Sequence, residues 1–220
     1  MIKNVLIVLL FCLPFTGFAQ YEKDQFWSGI EFNHQLNKKV DYSIRTEYRS
    51  IGFEDPLNKL IEIGSGYKLN KYVNLKAGAR FADVYEDDDK LRLNADLILK
   101  WSKKKWPLKV QYRNRLQHIF LAANEDHYSI YRAKFKFSWK LMKKFYFYSG
   151  FEYFFKFGQK DKWNGERFFI GLNKKFKKGV GGSLAYIIDE GLNKKHVEIE
   201  RAIVIGLSYN LKKKSKSKKD

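Results

Sequence analysis

Cysteine and proline are scarce: one cysteine, Cys12, and three prolines stand in 220 residues. Cys12 falls inside an N-terminal stretch that reads as removable. The chain from Gln20 onward then has no thiol for a disulfide, a thiolate-bound metal or a cysteine nucleophile. Internal apolar runs of the ~20 residues that a spanning helix needs are also missing, which excludes a polytopic helical membrane protein. No glycine-rich phosphate loop, zinc-ligand spacing or nucleophile elbow is present. Acids are in deficit, with 24 Asp+Glu against 43 Lys+Arg and a formal charge of +19. Taken alone, that surplus points to a nucleic-acid partner.

What is present argues otherwise. Met1 to Ala19 has the form of a secretory signal peptide: Lys3 ahead of an apolar core from Val5 to Phe15, then Gly17-Phe18-Ala19 as a small-x-small cleavage site. Phe11 before Cys12 is too large for a lipoprotein cleavage site, so no lipid anchor is expected. Export removes most of the case for DNA or RNA, and no nucleic-acid partner is expected. The 17% aromatic content argues against disorder.

From Phe26 nearly to the end, apolar and polar residues alternate with period two, the mark of strands with one wet and one apolar face. Val40 to Arg49 shows it best. Val40, Tyr42, Ile44, Thr46 and Tyr48 share one face; Asp41, Ser43, Arg45, Glu47 and Arg49 share the other. Eleven such segments are read, at 26–36, 40–50, 59–69, 72–84, 91–101, 107–119, 128–141, 145–157, 165–176, 179–189 and 197–211. All exceed the ~5–6 residues usual in soluble sheets and reach or pass the ~9–11 that a tilted membrane strand needs. The expected fold is an all-β, up-and-down antiparallel transmembrane barrel of ten to twelve strands. Twelve is the preferred count, because bacterial single-chain barrels have even numbers. The expected layout is a signal peptide at 1–19, one barrel domain at 20–211 and a lysine-rich tail at 212–220.

In such a barrel the apolar face meets lipid and the polar face lines the lumen. Glu31, Arg45, Arg49, Glu62, Arg80, Arg113, Arg115, Lys134, Glu152 and Arg167 are the expected lumen-lining charges. Turn positions place Glu31 opposite Arg45, Trp27 opposite Arg49, Glu62 opposite Arg80, and Glu152 opposite Lys134. Cross-strand charge pairs of this kind contribute about 0.2–1 kcal/mol each. A net-basic lumen would also attract anions.

The connections are expected to alternate, short at one end and longer at the other. Tyr72, Trp101, Trp106, Trp139, Phe145 and Phe176 flank the short turns, as an interfacial girdle would. The short turns hold Lys38, Lys39, Lys71, Lys103, Lys104, Lys105, Lys143, Lys144, Lys174, Lys175, Lys177 and Lys178. Lys212, Lys213, Lys214, Lys216, Lys218 and Lys219 follow in the tail. The other end holds Glu54, Asp55, Glu86, Asp87, Asp88, Asp89, Glu125, Asp126, Asp161, Asp189 and Glu190. The surplus charge is thereby a basic rim rather than a nucleic-acid patch. Its expected partners are outer-membrane lipid and, at the lysine end, anionic lipid headgroups or the cell wall.

Reactive groups are few. His127 and Ser129 lie two apart on one strand face, so the imidazole can accept the hydroxyl proton. Outer-membrane lipid hydrolases resemble this in using a His-x-Ser pair on the barrel exterior. Leu141 stands where a third, orienting group would be sought. Asp87-Asp88-Asp89 lacks the ligand spacing and glycine of a calcium loop. No metal site and no cofactor are expected.

The run Tyr112-Arg113-Asn114-Arg115-Leu116-Gln117-His118-Ile119-Phe120 resembles a basic strand motif of the family called domain of unknown function 2490. So do Gly150-Phe151-Glu152-Tyr153-Phe154, Glu166-Arg167, Gly171 and Tyr186. The signal ending Phe-Ala-Gln looks like those of secreted proteins of Bacteroidota. The resemblance covers about 25–210 and implies an outer-membrane barrel without an established activity. The chain departs from it at Gln117, where an acid is expected, and in its lysine tail. The leading expectation is a non-enzymatic outer-membrane barrel, a narrow pore or a structural and interaction protein. The alternatives are a lipid-modifying hydrolase using His127 and Ser129, and an exported soluble barrel holding an apolar ligand.

Overall fold

The computed structural model describes residues 23–85, 89–102, 106–122, 127–157, 162–191 and 198–212. They form β1 (Lys23–Gln35), β2 (Val40–Ile51), β3 (Asp55–Lys68), β4 (Val73–Val84), β5 (Lys90–Ser102), β6 (Leu108–Leu121), β7 (His127–Met142), β8 (Phe145–Phe157), β9 (Lys162–Lys175), β10 (Val180–Gly191) and β11 (Glu198–Lys212). Among the described residues there is no helix. The strands follow one another around a closed barrel in chain order.

The expected count of twelve is corrected to eleven. The evenness rule holds when the closing pair is antiparallel, and here it is not. In an up-and-down meander directions alternate, so the first and eleventh strands run the same way. β1 and β11 accordingly pair in parallel, from Lys23↔Glu200 to Gln35↔Lys212. This seam uses the backbone groups that an open edge would leave unpaired. It also puts Lys23 and Lys212 at opposite ends of the barrel.

One end carries the connections 36–39, 69–72, 103–107, 143–144 and 176–179; the other carries 52–54, 85–89, 122–126, 158–161 and 192–197. Their lengths overlap, so the expected contrast in loop length is weaker than the contrast in charge. The reason is that β3 begins already at Asp55 and β9 at Lys162. Pro56 is tolerated in β3 because the β2–β3 register shifts between Arg49 and Ser50, a bulge being one of the few places a sheet admits proline. Two lysine-end turns share one construction. Asn37 Oδ1 accepts from the backbone N–H of Lys39 and Val40, both at 2.8 Å. Asn70 Oδ1 accepts from Tyr72 and Val73 at 2.8 and 2.9 Å. This is the local side-chain-to-backbone bonding for which asparagine is favoured in turns.

The pleat sorts the side chains. Glu47 is buried and Asp41, Ser43, Arg45 and Arg49 are half-buried, whereas Tyr42, Ile44 and Thr46 between them are exposed. Contacts that skip strands identify the concave side. Arg113 on β6 bonds Glu152 on β8 across β7, and Arg115 on β6 lies 4.0 Å from Glu62 on β3. The polar face is therefore the inside. Outside, the wall is apolar, with Ile30, Ile63 and Leu116 each more than half exposed.

Candidate functional site

Parity places one ring of charge at mid-height of the lumen. It holds nine cations (Arg45, Arg49, Arg80, Arg92, Arg113, Arg115, Arg132, Lys134 and Arg167) and five carboxylates (Glu47, Glu62, Asp96, Glu152 and Asp189). Glu152 is its centre. Its side chain is fully shielded, with Oε1 2.6 Å from Arg113 Nη2 and 3.0 Å from Arg132 Nε, and Oε2 3.6 Å from Lys134 Nζ. Asp96 takes a two-pronged bond from Arg115, at 2.6 and 2.8 Å. Glu62 accepts from Arg80 Nε at 2.7 Å. Asp189 accepts from both Nε and Nη2 of Arg167, the latter at 2.5 Å. Glu47 accepts from Arg45 and, at 2.7 Å, from Arg49 Nε. The Arg49 guanidinium also lies over the Trp27 ring, 3.7 Å from its centre. Such buried carboxylates persist because each is paired and hydrogen-bonded. Cations remain in excess, and the pairing is incomplete on both sides: buried Nε atoms of Arg92 and Arg113 find no acceptor, and Glu152 Oε2 has an ion pair with Lys134 but no hydrogen bond.

The register sets Glu31 opposite Arg45, Trp27 opposite Arg49, Glu62 opposite Arg80 and Lys134 opposite Glu152. Facing is not always bonding: Arg45 pairs with Glu47, two residues along its own strand. Gln117, where an acid was expected, accepts from Arg132 Nη1 at 3.2 Å, so its amide oxygen does part of a carboxylate's work. Glu47, Arg92, Asp96, Arg132 and Asp189 were not among the expected lumen charges, although the first three share the polar faces of their strands. Arg132 was legible by parity with Lys134, whereas Asp189 was assigned to the acidic rim although its strand turns it inward onto Arg167.

Below the ring, toward the lysine-bearing turns, the lumen widens into a cavity of about 870 Å³. Arg45, Glu47, Arg113 and Lys134 roof it. One wall is of small residues on β10, β11 and β1, among them Gly181, Ser183, Gly206 and Ser208. The facing wall carries Lys109, Lys136 and Lys175 with Tyr146, Tyr148 and Phe169. The rings lie along the wall because glycines face them. In register Tyr148 pairs with Gly171 and Phe169 with Gly150. A Cβ on Gly171 would stand 2.6 Å from the Tyr148 hydroxyl, and one on Gly150 2.5 Å from the tip of Phe169.

A second polar cluster is on the outside. His118 and Ser129 are opposite one another on β6 and β7, with His118 Nδ1 2.9 Å from Ser129 Oγ. The imidazole that bonds Ser129 is thus that of His118, not of His127. The His127 ring lies 5.4 Å from that of His118. Nearby, Tyr131 donates to Asn114 Oδ1. Asp89 Oδ1 accepts from Val84 N–H at 3.3 Å; Asp87 and Asp88 lie outside the described residues, as do 1–22 and 213–220. Among the described residues no three His, Cys, Asp or Glu side chains gather as metal ligands would.

A family model described as protein of unknown function (DUF2490) matches residues 24–199, from the start of β1 to the start of β11. No curated protein matches the chain.

Proposed function

The chain belongs to the family of proteins of unknown function DUF2490, and from that premise we propose that it is an exported outer-membrane β-barrel. Its role is non-enzymatic: a closed structural and binding barrel. One observation carries the reading, the inversion of the usual soluble pattern, with ion pairs inside and apolar side chains outside. A barrel surface of Ile, Leu, Phe and Val all the way round is unfavourable in water at about 25 cal/mol per Å² of exposed apolar surface, and is favoured against lipid. Strands of 12–16 residues reach across an outer membrane. Exposed Tyr72, Trp101, Trp106 and Phe176 at the lysine end supply one interfacial girdle. The mid-height ring supports closure rather than an open pore, since the side chains of Glu47, Asp96 and Glu152 are shielded from water. The expected outcome is recovery in the membrane fraction, heat-modifiable gel migration, and no steady conductance in planar bilayers. Full solubility without detergent would sink the membrane reading; a stable anion-selective conductance would sink the closed lumen.

The His118–Ser129 contact favours a second reading, acyl hydrolysis of lipid at the outer wall. His118 would take the Ser129 proton as the hydroxyl attacks an ester carbonyl and return it to the leaving alcohol; water, deprotonated by the same imidazole, would then cleave the acyl-serine to fatty acid and free Ser129. The measurement is fatty-acid release from phospholipid micelles by wild type and by Ser129→Ala. Release lost in the variant supports hydrolysis; equal release by both removes Ser129 as nucleophile.

A further inference from the structure

We propose that the cavity below the charged ring is a binding site for a small organic anion with several phosphate or carboxylate groups. The ligand enters from the lysine-bearing end. The proposal deepens the closed-barrel reading and rests on it, because an open lumen would pass such an anion rather than hold it.

The argument starts from unanswered charge. Lys109, Lys136 and Lys175 project into the cavity, and among the described residues none of them has an ion pair. They rest instead on aromatic faces. Lys136 Nζ is 4.1 Å from the Tyr148 ring centre; Lys109 and Lys175 are 5.8 and 5.4 Å from that of Tyr146. Of the two acids lining the cavity, Glu47 is committed to Arg45 and Arg49, which leaves Glu31. Three ammonium groups therefore converge on one space with their donors unused. Arginines sit in the ring, where each carboxylate is fixed and a planar fork can match it. Lysines sit in the cavity, where a point charge on a flexible stem adapts to an anion of variable geometry.

Shape agrees with charge. The glycines and serines of β10 and β11 leave space unfilled beside the lysines, whereas Tyr148 and Phe169 pack against Ala185, Ile187 and Val204, so the cavity is a slot with small residues on one side and basic groups on the other. The roof of paired groups closes it toward the acidic end. Lys144 and Lys174 at its mouth extend the positive potential outward, which steers anions in and raises their local concentration. Tyr146, the half-buried ring of that lining, offers an aromatic surface and a hydroxyl to the body of a ligand such as a sugar ring.

The test uses the purified full-length chain in detergent and titration calorimetry with three probes: tripolyphosphate, tri-galacturonate and neutral maltotriose. Saturable one-to-one binding of one or both anions, weakened by added salt and absent with maltotriose, is the expected result. The two anion arms separate phosphate from carboxylate recognition. Combined Lys109→Gln, Lys136→Gln and Lys175→Gln should weaken binding about tenfold or more, three partly screened charge contacts being lost. Ser183→Phe, which fills the slot and keeps every lysine, should weaken it as much; Ser208→Leu serves if that variant loses heat-modifiable migration. Lys38→Gln with Lys39→Gln on the β1–β2 turn, away from the cavity lining, should change nothing. The proposal is overturned if neither anion binds saturably, if the slot-filling variants bind like wild type, or if the turn variant weakens binding as much as the cavity variant. A heat-modifiable barrel that binds no anion overturns the ligand alone. A chain soluble without detergent overturns the membrane reading, with the binding result still standing on its own.

Discussion

Glu152 has three cations within 3.6 Å and no contact with water. Its charge is what permits Arg113, Arg132 and Lys134 to share so small a volume. Removing one partner of a buried charge set leaves the others uncompensated, a loss of about 3–5 kcal/mol. Glu152→Gln keeps the shape and removes the charge, so it should lower stability by roughly that amount, read as the urea concentration at which the detergent-solubilised barrel loses its heat-modifiable form. Adding Lys134→Met should recover part of the loss, and Ser149→Ala on the outer face of β8 should be neutral. A Glu152→Gln barrel as stable as wild type would show that the ring is solvated in life. At this scale the sequence was only partly legible. Parity named the face of Glu152 and Lys134 correctly in register. It did not name Arg113, because contacts that skip a strand depend on how tightly the barrel curves, nor Arg132, a diagonal neighbour on β7 that faces Phe154 in register. The same limit explains Ser129: its neighbour at two residues was visible, its bonding partner on the adjacent strand was not.

Among the elements, all eleven strands were legible, because long period-two runs separated by Asn, Lys and Gly turns admit no competing helical reading. Boundaries moved by a few residues, as at β3, which begins at Asp55 rather than 59 and carries Pro56 through a bulge. Hairpin register was legible too, since a turn fixes which residues face each other. The seam was not. β1 and β11 stand at the two ends of the chain, no turn joins them, and alternation reads the same for parallel and antiparallel partners. The eleven segments counted from the residues were therefore right, and the twelfth was added to satisfy a rule about closure that a parallel pair escapes. The cavity below the ring was equally hidden. Its lysines were visible as inward positions, but empty space arises from what faces them: Gly181, Ser183, Gly206 and Ser208, on strands far along the chain from Lys109 and Lys136.

For the whole molecule, the odd count and the uneven charge make one joint prediction about orientation. The turns following β1, β3, β5, β7 and β9 are lysine-rich; of the opposite connections 52–54, 85–89 and 122–126 are acidic, 158–161 is balanced and 192–197 carries Lys194 and Lys195. Lysines beside an anionic leaflet gain about 1 kcal/mol each, which favours the lysine end on the periplasmic side, against the inner leaflet. β11 runs toward that end and β1 away from the other, so the chain enters and leaves the barrel on opposite rims. An even-stranded barrel would place both on the same rim. An epitope inserted after Gln20 should therefore be reached by antibody on intact cells, and one added after Asp220 only once the outer membrane is permeabilised. Both epitopes accessible on the same side would contradict the parallel seam. Opposite accessibility with the sides exchanged would keep the seam and reverse the barrel, placing the basic cavity mouth at the cell surface, where its anion would have to come from outside the cell.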